Sequence, residues 1–455
     1  MKVSDFGDYM KYGKRGHLIG IGGVSMSALA EVLISMGLQI TGSDSSDSDT
    51  VRALRNKGIR IQIGHYPESV SGAEFVIRTA AVHDDNPEII AAKNAGIPVF
   101  ERAQAWGAIM REYETAVCVS GTHGKTTTTS MITHIFMAAE KDPTIMIGGS
   151  LPMLKSGYRI GKGKTIVLES CEYCNSFHSF FPTIAVVLNV DEDHLDFFSG
   201  IQEIKASFRK FAGLVPENGW VIANRDDQNT MDALSGLDRK TLTFGMKNDA
   251  DVQAADIKYE RNPSFDIRYK GDLIAHITLN VPGEHNVLNA LAAAAAAIVA
   301  GIPAFYIEQG LSAFTGAGRR LEYKGSVNGA EVYDDYAHHP FELQTLFKAV
   351  RQMDRKRLIC AFQPHTYSRT KAMFKDFVET LGMADIVFLA DIYSARETDT
   401  LGISSKDLAD KIPGARFFDD FGKMAEAIKK IARPGDIILT VGAGNIYKVG
   451  ESLLA

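Results

Sequence analysis

The chain has 455 residues, more than one core usually supports, and at roughly 150 residues per domain this length predicts about three domains. Hydrophobic residues make up 45% and charged residues 23%, which is typical of a folded globular protein and excludes a largely disordered one. The 49 basic and 55 acidic residues give a net charge of -6, and no run of Lys or Arg is long enough to follow a nucleic-acid backbone. We therefore expect no nucleic-acid partner.

The sequence also argues against membrane insertion. Acidic residues lie among the first ten positions, where a signal peptide needs an apolar core, and the longest apolar run, 290–300, is too short to span a bilayer. This alanine-rich run predicts a buried helix that ends at Gly301. The four cysteines fit a reducing compartment, so we expect a cytoplasmic protein. Cys171 and Cys174 form a single C-x-x-C pair without the second pair of a zinc ribbon or a thioredoxin-like context, which disfavours structural zinc or redox chemistry there.

A glycine-rich turn follows the first apolar strand of the chain. Gly20, Gly22 and Gly23 lie between that strand and a helical pattern. The next strand ends in Asp44, about twenty residues later, as in Rossmann-type nucleotide sites, and such a turn can hold a diphosphate. The order G-x-G-G differs from the usual G-x-G-x-x-G, so a redox cofactor is weakly supported and tight strand–helix packing is the alternative. With the strands that follow, the segment predicts an open α/β, Rossmann-like domain over residues 1–111.

The most informative motif opens the second predicted domain. It follows the apolar run 116–119 and precedes a helical pattern. Its residues are Gly121, Thr122, His123, Gly124, Lys125, Thr126 and Thr127. The glycines allow backbone amides to face phosphate oxygens, the lysine supplies a cation, and the Thr126 hydroxyl can ligate Mg²⁺. The motif is a shortened G-x-x-G-K-T form, with a plain glycine-rich turn as the alternative, and it predicts a P-loop ATPase domain with a mostly parallel sheet over residues 112–315.

Two buried-strand patterns of this domain end in groups that suit metal binding. The first ends at Glu169, and the second leads into the polar run 189–196, which contains His194. Mg²⁺ prefers oxygen ligands and few protein contacts, so Thr126 and Glu169 could hold one ion. His194 could serve a second ion or be an ordinary hydrogen-bonded loop histidine. Further along, the side-chain amides of 281–289 precede the alanine-rich helix, where they could reach an adenine or a ribose.

The last part of the chain predicts a second Rossmann-like domain over residues 316–455. Its principal strand-like runs are 331–336, 357–362, 385–390 and 436–441. Each run leads into a polar cluster, and polar groups at the carboxyl ends of strands belong to the binding edge of an open α/β sheet. Arg319 and Arg320, at the entry to this domain, could clamp phosphate.

Together these motifs resemble those of the Mur ligase family over nearly the whole chain. The marks of the resemblance are the shortened loop 121–128, the run 189–196, Gly283-Glu284-His285-Asn286, Gly318-Arg319-Arg320, the run 334–340 and Phe362-Gln363-Pro364-His365. The last two marks, and the glycine turn 20–27, resemble the branch of the family that adds alanine.

The resemblance implies a three-domain α/β ligase, with a UDP-sugar domain, an ATP domain and an amino-acid domain that closes over the other two. In this branch ATP phosphorylates the carboxylate of UDP-N-acetylmuramate, and the amine of L-alanine attacks the acyl phosphate to form an amide of a peptidoglycan precursor. ATP and Mg²⁺ are the implied cofactors. No oligomeric state is implied.

The resemblance also implies roles for individual residues. Catalytic roles fall on Lys125, Glu169, His194, Arg320 and His339. ATP contacts fall on the loop 121–127 and on Asn286, Arg320, Asp335 and Tyr336. UDP-sugar contacts fall on Gly22, Gly23, Ser25, Met26, Ser27 and Asp44. The metal ligands are Thr126, Glu169 and His194. Arg369 is the candidate for the alanine carboxylate, because a guanidinium pairs with a carboxylate through two hydrogen bonds.

Two departures from the family pattern concern other positions. Cys171 and Cys174 lie where relatives commonly carry aspartates after the metal-binding glutamate. Phe208 lies where several sister ligases carry a carbamylated lysine, which agrees with the alanine-adding branch. Two alternatives stay open, namely a recycling ligase that attaches a tripeptide to UDP-N-acetylmuramate, and a nucleotide-binding regulator without turnover. The several charged groups predicted around the γ-phosphate argue against the regulator.

Overall fold

The computed structural model describes residues 5–195, 197–247, 249–259, 262–395 and 397–455. They form three β-sheets with helices between the strands. The first sheet and its helices comprise β1 (Arg15–Ile19), α1 (Val24–Ser35), β2 (Gln39–Asp44), α2 (Asp49–Asn56), β3 (Arg60–Ile63), β4 (Phe75–Arg78), α3 (Pro87–Asn94), β5 (Val99–Glu101) and α4 (Arg102–Met110). All strand pairs are parallel, in the order β3-β2-β1-β4-β5. Because β1 and β2 are parallel neighbours, the glycine turn after β1 lies beside the carboxyl end of β2, where Asp44 is located.

The second sheet carries the shortened phosphate loop. Its elements up to residue 245 are β6 (Thr115–Ser120), α5 (Lys125–Ala138), β7 (Thr144–Leu151), β8 (Ser156–Arg159), β9 (Thr165–Glu169), β10 (Ile184–Val187), α6 (Ile201–Gly213), β11 (Trp220–Asn224), α7 (Gln228–Leu234) and β12 (Thr241–Gly245). Strands β12-β11-β10-β6-β9-β7 are parallel in that order, and β8 pairs antiparallel with β7. Strands β6, β9 and β10 are buried on both faces, which explains why their sequences are continuous apolar runs.

Polar strands and two helices connect this sheet to the last one. They are β13 (Val252–Tyr259), β14 (Pro263–Tyr269), β15 (Asp272–Thr278), α8 (Glu284–Val299) and α9 (Ala304–Ser312). The β13 strand pairs with β12 at Val252 and Gln253, and β14 pairs antiparallel with β15. The alanine-rich run lies in α8, as its composition predicts, with Ala290 to Ala297 fully buried.

The third sheet has a hydrophobic core on each of its two faces. Its elements are β16 (Glu322–Val327), β17 (Ala330–Asp335), α10 (Pro340–Arg351), β18 (Leu358–Phe362), α11 (Tyr367–Ala372), α12 (Phe374–Leu381), β19 (Ile386–Ala390), α13 (Ser405–Ala409), β20 (Arg416–Phe418), α14 (Phe421–Ile431), β21 (Ile437–Val441) and α15 (Tyr447–Leu454). The order is β16-β17-β21-β18-β19-β20, and only β16 is antiparallel to its neighbour. Leu358, Cys360 and Phe362 enter one core, whereas Ile359 and Ala361 enter the other, because successive side chains point to opposite faces.

The chain divides into two compact units. The first consists of Met1–Gln253 with Leu291–Gly310, and the second of Ala254–Ala290 with Leu311–Ala455. In the first unit one continuous core joins the first two sheets, and it includes Trp106 of α4 and Phe208 of α6. The predicted α/β class with mostly parallel sheets is confirmed. The domain limits after residues 111 and 315 stay predictions. None of the helices in the described ranges has the length and apolar character needed to cross a bilayer.

Candidate active site

The phosphate loop connects β6 to α5 in the first unit. Gly124 is the N-cap of α5 with a left-handed φ of 85°, and Gly121 has a φ of 141°. A Cβ at Gly121 would lie 2.8 Å from the Leu188 Cβ, so a larger residue would both strain and crowd the turn. The loop therefore runs into the N-terminus of a fourteen-residue helix, whose first N–H groups and dipole favour an anion.

Asn189 holds the loop from the neighbouring strand end. Its Oδ1 accepts the His123 N–H at 2.7 Å, and its Nδ2 donates to the His123 carbonyl at 3.0 Å. The Asn189 carbonyl accepts the Thr122 N–H at 3.1 Å, and the Thr122 Oγ1 accepts the N–H of Asp191 at 2.9 Å. Sequence reasoning assigned no separate role to Asn189, although its position after β10, beside β6 in a parallel sheet, places it at the same edge as the loop.

Lys125 lies at the start of α5 with its ammonium group largely buried. Its Nζ donates to the carbonyls of Gly121 at 2.5 Å and Thr122 at 3.1 Å, and it lies 3.0 and 3.3 Å from the two carboxylate oxygens of Glu172. These contacts use all three ammonium protons. Burial, the largest single influence, would lower the pKa of Lys125, but the neighbouring negative charges, chiefly Glu172 and also Glu169, together with the hydrogen bond to Glu172 outweigh it, so the pKa lies above its ordinary value. Lys125 is therefore a fixed cation at the loop.

Thr126 and Glu169 form a pair of oxygen ligands beside this lysine. The Thr126 Oγ1 donates to Glu169 Oε1 at 3.1 Å, and the second carboxylate oxygen accepts the Gly148 N–H at 2.7 Å. Among the residues that the structure describes, no group of three or more His, Cys, Asp or Glu side chains is placed to hold a metal. Mg²⁺ keeps several waters and takes few protein oxygens when phosphate oxygens complete its shell, so the Thr126–Glu169 pair fits such an ion.

His194 lies in the polar run after β10. Its backbone has a left-handed φ of 55°, and its N–H donates to the Asp193 Oδ1 at 2.7 Å. The imidazole is tilted against the Tyr173 ring with 4.8 Å between ring centroids, and its Nε2 lies 3.8 Å from the Asp193 carboxylate. A non-glycine residue in this backbone region is uncommon and is typical of a loop that holds a functional side chain. Asp196, in the same predicted run, lies outside the described residues.

The glycine turn after β1 is built differently from the phosphate loop. The Gly22 N–H donates to Asp44 Oδ2 at 2.8 Å, which ties the turn to the end of β2. Ser25 accepts a hydrogen bond from the Trp106 indole at 3.1 Å, the Ser27 hydroxyl donates to the Val24 carbonyl, and Met26 is buried. Because these three side chains serve packing within the first unit, the turn can offer a ligand mainly its glycines and the N-terminus of α1.

In the second unit, Asp335 and Arg320 lie together at the carboxyl end of β17. The Asp335 carboxylate accepts the N–H groups of Leu321 and Ala337, each at 2.7 Å. Burial raises the pKa of Asp335 to about 6, although the positive charge of Arg320 opposes the rise. The Arg320 guanidinium lies 5.4 Å from the centre of the Tyr336 ring. This charge pair and ring are consistent with a nucleotide contact.

Arg319 has another role than its neighbour. Its guanidinium donates to Asp334 Oδ2 at 2.8 Å and to the carbonyls of Gly442 and Gly444 at 2.6 and 3.2 Å. It also lies against the rings of Tyr336 and Tyr447. These contacts tie the entry of the domain to β17 and to the loop after β21. The sequence pattern suggests that both arginines clamp phosphate, whereas Arg319 is committed to the protein itself.

Asn286 and His339 lie at helix N-termini of the second unit. Asn286, in the first turn of α8, donates from Nδ2 to the Pro282 carbonyl at 2.7 Å and accepts from Asn289 at 3.1 Å. Next to it, burial and then Arg320 lower the pKa of His285 to about 4, so this imidazole is neutral. His339 caps α10, with its Nδ1 accepting the Phe341 N–H at 3.2 Å. One ring nitrogen of His339 is thus engaged by the helix.

Arg369 lies on α11, at the edge formed by the loops after β18 and β19. Its guanidinium lies 3.2 Å from His365 Nδ1, and the His365 ring stacks on Tyr393 at 5.7 Å. Between them Thr366 has a φ of 69° and a ψ of 144°, an unusual conformation for a β-branched residue. The conformation is held by hydrogen bonds from the Thr366 N–H to the Tyr393 carbonyl and from the Tyr393 N–H to the Pro364 carbonyl, both at 2.9 Å. The loop therefore has the strain that often marks a functional site.

The structure brings the predicted residues together in separate groups. The first unit contains the glycine turn with Asp44 and, on its second sheet, the phosphate loop with Glu169 and His194. The second unit contains Asn286, Arg320, Asp335, Tyr336, His339 and Arg369. The sequence did not predict that Glu172 pairs with Lys125, which lies 47 positions earlier in the chain. Its only signal was its place in the polar stretch after a buried strand.

Three family models match consecutive parts of the chain. They are described as Mur ligase family, catalytic domain, at residues 15–114; Mur ligase middle domain, at residues 119–297; and Mur ligase, glutamate ligase domain, at residues 319–444. The phosphate loop lies at the beginning of the second matched range, and Arg319 begins the third.

Relatives of known name are similar over almost the full length. The chain is 47% identical over 447 residues to a UDP-N-acetylmuramate--L-alanine ligase of Caldanaerobacter subterraneus subsp. tengcongensis, with 97% of both chains covered. It is 47% identical over 448 residues to the ligase of that name from Acetivibrio thermocellus, with 97% of this chain and 96% of the relative covered. Among solved structures, the UDP-N-acetylmuramate-alanine ligase MurC of Thermotoga maritima has a TM-score of 0.82 at 27% identity, covering 97% of this chain and 98% of that one.

Proposed function

The chain belongs to the Mur ligase family, and on this premise we propose that it joins L-alanine to the carboxylate of UDP-N-acetylmuramate with ATP, in the synthesis of a peptidoglycan precursor. The observation that carries this function is identity of 47% across 97% of the chain with ligases of that name. The buried Lys125 at the N-terminus of α5, beside the Thr126–Glu169 pair, supports a phosphoryl-transfer step.

The reaction has two chemical steps. A carboxylate oxygen of the sugar nucleotide attacks the γ-phosphorus of ATP, the bond to the bridging oxygen breaks, and ADP leaves. The amine of L-alanine then attacks the carbonyl carbon of the acyl phosphate, loses a proton, and expels inorganic phosphate as the amide forms. The first step develops negative charge on phosphoryl oxygens, and the second on the carbonyl oxygen and then on the departing phosphate, so fixed cations and N–H donors are the main catalytic requirement.

The phosphate loop supplies these groups for the nucleotide. Lys125 stabilises the γ-phosphate, while the backbone of residues 121–127 surrounds the phosphates. Thr126 and Glu169 hold Mg²⁺, which neutralises phosphate charge when bound. His194 serves a second divalent cation.

The second unit contributes contacts to the same substrates. Arg320 contacts the phosphoryl group that is transferred, and Asn286 contacts the adenosine. Asp335, Tyr336 and His339 line the nucleotide side. Asp335 accepts the N–H of Ala337, which follows Tyr336, and the N–H of Leu321, which follows Arg320. Arg369 pairs with the carboxylate of L-alanine.

The three predicted domains divide the substrates. Residues 1–111 bind the UDP-sugar through Gly22, Gly23 and the backbone of residues 25–27, with Asp44 fixing the turn. Residues 112–315 bind ATP, and residues 316–455 bind the amino acid. We place the protein in the cytoplasm, because the reaction needs ATP. In support, all four cysteines lie within the described residues and none of them forms a disulfide.

Release of inorganic phosphate tests the function. The purified protein is incubated with ATP, Mg²⁺ and UDP-N-acetylmuramate, and L-alanine, glycine, L-serine or the tripeptide of the recycling reaction is added separately. Release that depends on L-alanine, together with the alanyl product by mass spectrometry, supports the proposal. Release with the tripeptide alone would identify a recycling ligase instead, and release with none of them would favour a nucleotide-binding regulator.

A further inference from the structure

Two residues separate Cys171 from Cys174, and we call the segment from 171 to 174 the thiol turn. Glu172 has helical dihedral angles, φ -75° and ψ -21°, and a 3₁₀ segment begins at Tyr173. The Asn175 N–H donates to the Glu172 carbonyl at 2.9 Å, so the chain turns here, and the C-x-x-C spacing is that of cysteine pairs that form disulfides. The sequence alone disfavours redox chemistry at this pair, but the contacts of the residues between the two cysteines favour it.

The two inner residues of the thiol turn contact two groups of the proposed ATP site. Glu172 accepts from Lys125 Nζ at 3.0 Å and is almost fully buried. Tyr173 lies against the His194 imidazole with 4.8 Å between ring centroids. Any rearrangement of residues 171–174 therefore reaches both the lysine of the phosphate loop and the histidine of the polar run.

Both flanks of the thiol turn are held in place. Before it, the Ser170 N–H donates to the Val119 carbonyl at 2.8 Å. After it, the Ser176 hydroxyl donates to the Cys171 carbonyl at 3.0 Å, and Phe177 is buried with its ring stacked on Phe211 at 4.5 Å. Because the flanks are fixed, a change imposed on the turn is concentrated in its two inner residues.

No disulfide joins Cys171 and Cys174 in the structure. Cys174 is exposed and Cys171 is only partly so, which means that the two thiols lie in different surroundings. Cys174 has a left-handed φ of 53°, which is uncommon for a cysteine, and Asn175 follows with a φ of 54°. A disulfide holds the two Cβ atoms about 3.5–4.5 Å apart, so closing the bond constrains the backbone of Glu172 and Tyr173 between them.

We propose that Cys171 and Cys174 are a thiol–disulfide modification site, and that closing the disulfide slows ATP-dependent ligation by displacing Glu172 and Tyr173 from Lys125 and His194. Displacement of catalytic groups by about 1 Å can cost up to 10²-fold in rate. We therefore expect kcat to fall at least tenfold in the oxidised protein. This inference rests on the proposed function.

The oxidation needs a disulfide of low molecular weight, such as glutathione disulfide. One cysteine thiolate attacks a sulfur of glutathione disulfide, forming a mixed disulfide and releasing one glutathione. The thiolate of the other cysteine then attacks the protein sulfur and releases the second glutathione. In total two protein thiols lose two protons and two electrons, and glutathione disulfide is reduced to two glutathione molecules.

The test compares the full-length protein with the Cys174→Ser variant, each reduced or treated with glutathione disulfide. Peptide mass spectrometry locates the disulfide, phosphate release gives kcat, and calorimetry gives ATP affinity. Cys118 and Cys360 are buried within strands and serve as internal controls for the thiol count. We expect a 171–174 disulfide, a kcat at least tenfold lower that dithiothreitol restores, and a variant whose rate is the same before and after treatment.

Several results would overturn the proposal. These are a 171–174 disulfide with unchanged kcat, failure of the bond to form while glutathione stays on one cysteine or on neither, and an equal loss of rate in the variant. Absence of alanine-dependent phosphate release from the reduced protein would instead refute the ligase function. In that case the ATP affinities of the reduced and oxidised forms still decide whether the pair acts on the phosphate loop.

Discussion

The two glycine turns of the first unit have the same plan but different charges. Each follows a buried parallel strand and opens a helix, and each has a carboxylate beside it. In the first turn, Asp44 accepts the backbone N–H of Gly22, and the sequence from 20 to 27 has no basic residue. In the phosphate loop, the carboxylate of Glu172 pairs with the ammonium of Lys125, and a hydroxyl and a second carboxylate lie next to it.

This difference in charged groups indicates that the first turn holds a phosphate, whereas the phosphate loop transfers one. Backbone N–H groups and a helix N-terminus are enough to hold a diphosphate that stays intact. Transfer of a phosphoryl group moves charge between oxygens, which a cation and a metal site stabilise. We therefore assign the first turn to the sugar nucleotide, which keeps its diphosphate, and the second to ATP.

The largest expected effect comes from Lys125→Ala. Removal of the cation should lower phosphate release by about 10³-fold or more, the size found for cations at transferring phosphoryl groups. Binding of UDP-N-acetylmuramate, measured by calorimetry, should change little, because the first turn does not use this lysine. A folded variant that loses both activities equally would contradict the division between the turns.

Glu169→Gln should have the next largest effect. The variant keeps a hydrogen-bonding group next to Thr126 and Gly148 but loses the charge that fits a metal. We expect kcat to fall about 10²-fold, comparable to removal of one preorganised electrostatic group, and the Mg²⁺ concentration for half-maximal rate to rise. A titration with Mg²⁺ measures both quantities. An unchanged Mg²⁺ dependence would show that the Thr126–Glu169 pair is structural.

Much of this comparison could be predicted from the sequence. Parallel strands buried on both faces are continuous apolar runs, so β6, β9, β18 and β21 stand out, and the residues after them lie at one sheet edge by geometry. The strands β14 and β15 were not predicted, although β14 alternates buried and half-buried residues; β15 alternates less regularly and is partly exposed. Short-range motifs are visible in the sequence because their residues are neighbours.

The partners of the motif residues were harder to predict. The contact of Lys125 with Glu172 depends on how β6 and β9 pair, and no spacing rule joins positions 47 apart. Likewise, the adjacent residues Arg319 and Arg320 look equivalent in the sequence, but Arg319 is tied to Asp334 and the loop after β21, whereas Arg320 lies against the Tyr336 ring and beside Asp335. Such differences arise from tertiary packing, which the local sequence does not encode.

Asp44→Asn tests the first turn with a smaller effect. The asparagine can still accept the Gly22 N–H but without charge assistance, and hydrogen bonds to charged groups contribute about 1.5–3 kcal/mol. Part of this is retained, so we expect about tenfold weaker binding of UDP-N-acetylmuramate. ATP affinity serves as the internal control and should stay constant. A loss of ATP affinity with intact sugar-nucleotide binding would reverse our assignment of the two turns.

The smallest expected effect is on the pH dependence of ATP use. Because the pKa of Asp335 is raised to about 6, its carboxylate is ionised at pH 7 and becomes protonated as the pH falls through 6. Protonation weakens its acceptance of the Leu321 and Ala337 N–H groups. We expect kcat/KM for ATP to fall about fourfold between pH 7 and 5.5, the change in ionised fraction for such a pKa. In Asp335→Asn this fall in kcat/KM at low pH should be absent. An identical fall in the variant would show that another group titrates.

The central claim is that the phosphate loop transfers a phosphoryl group to the carboxylate of the sugar nucleotide. The most direct measurement uses UDP-N-acetylmuramate labelled with ¹⁸O in that carboxylate, with mass spectrometry of the phosphate released in the presence of ATP and L-alanine. An acyl phosphate predicts that each phosphate carries one oxygen from the carboxylate. Alanine-dependent phosphate that contains no ¹⁸O would contradict the account.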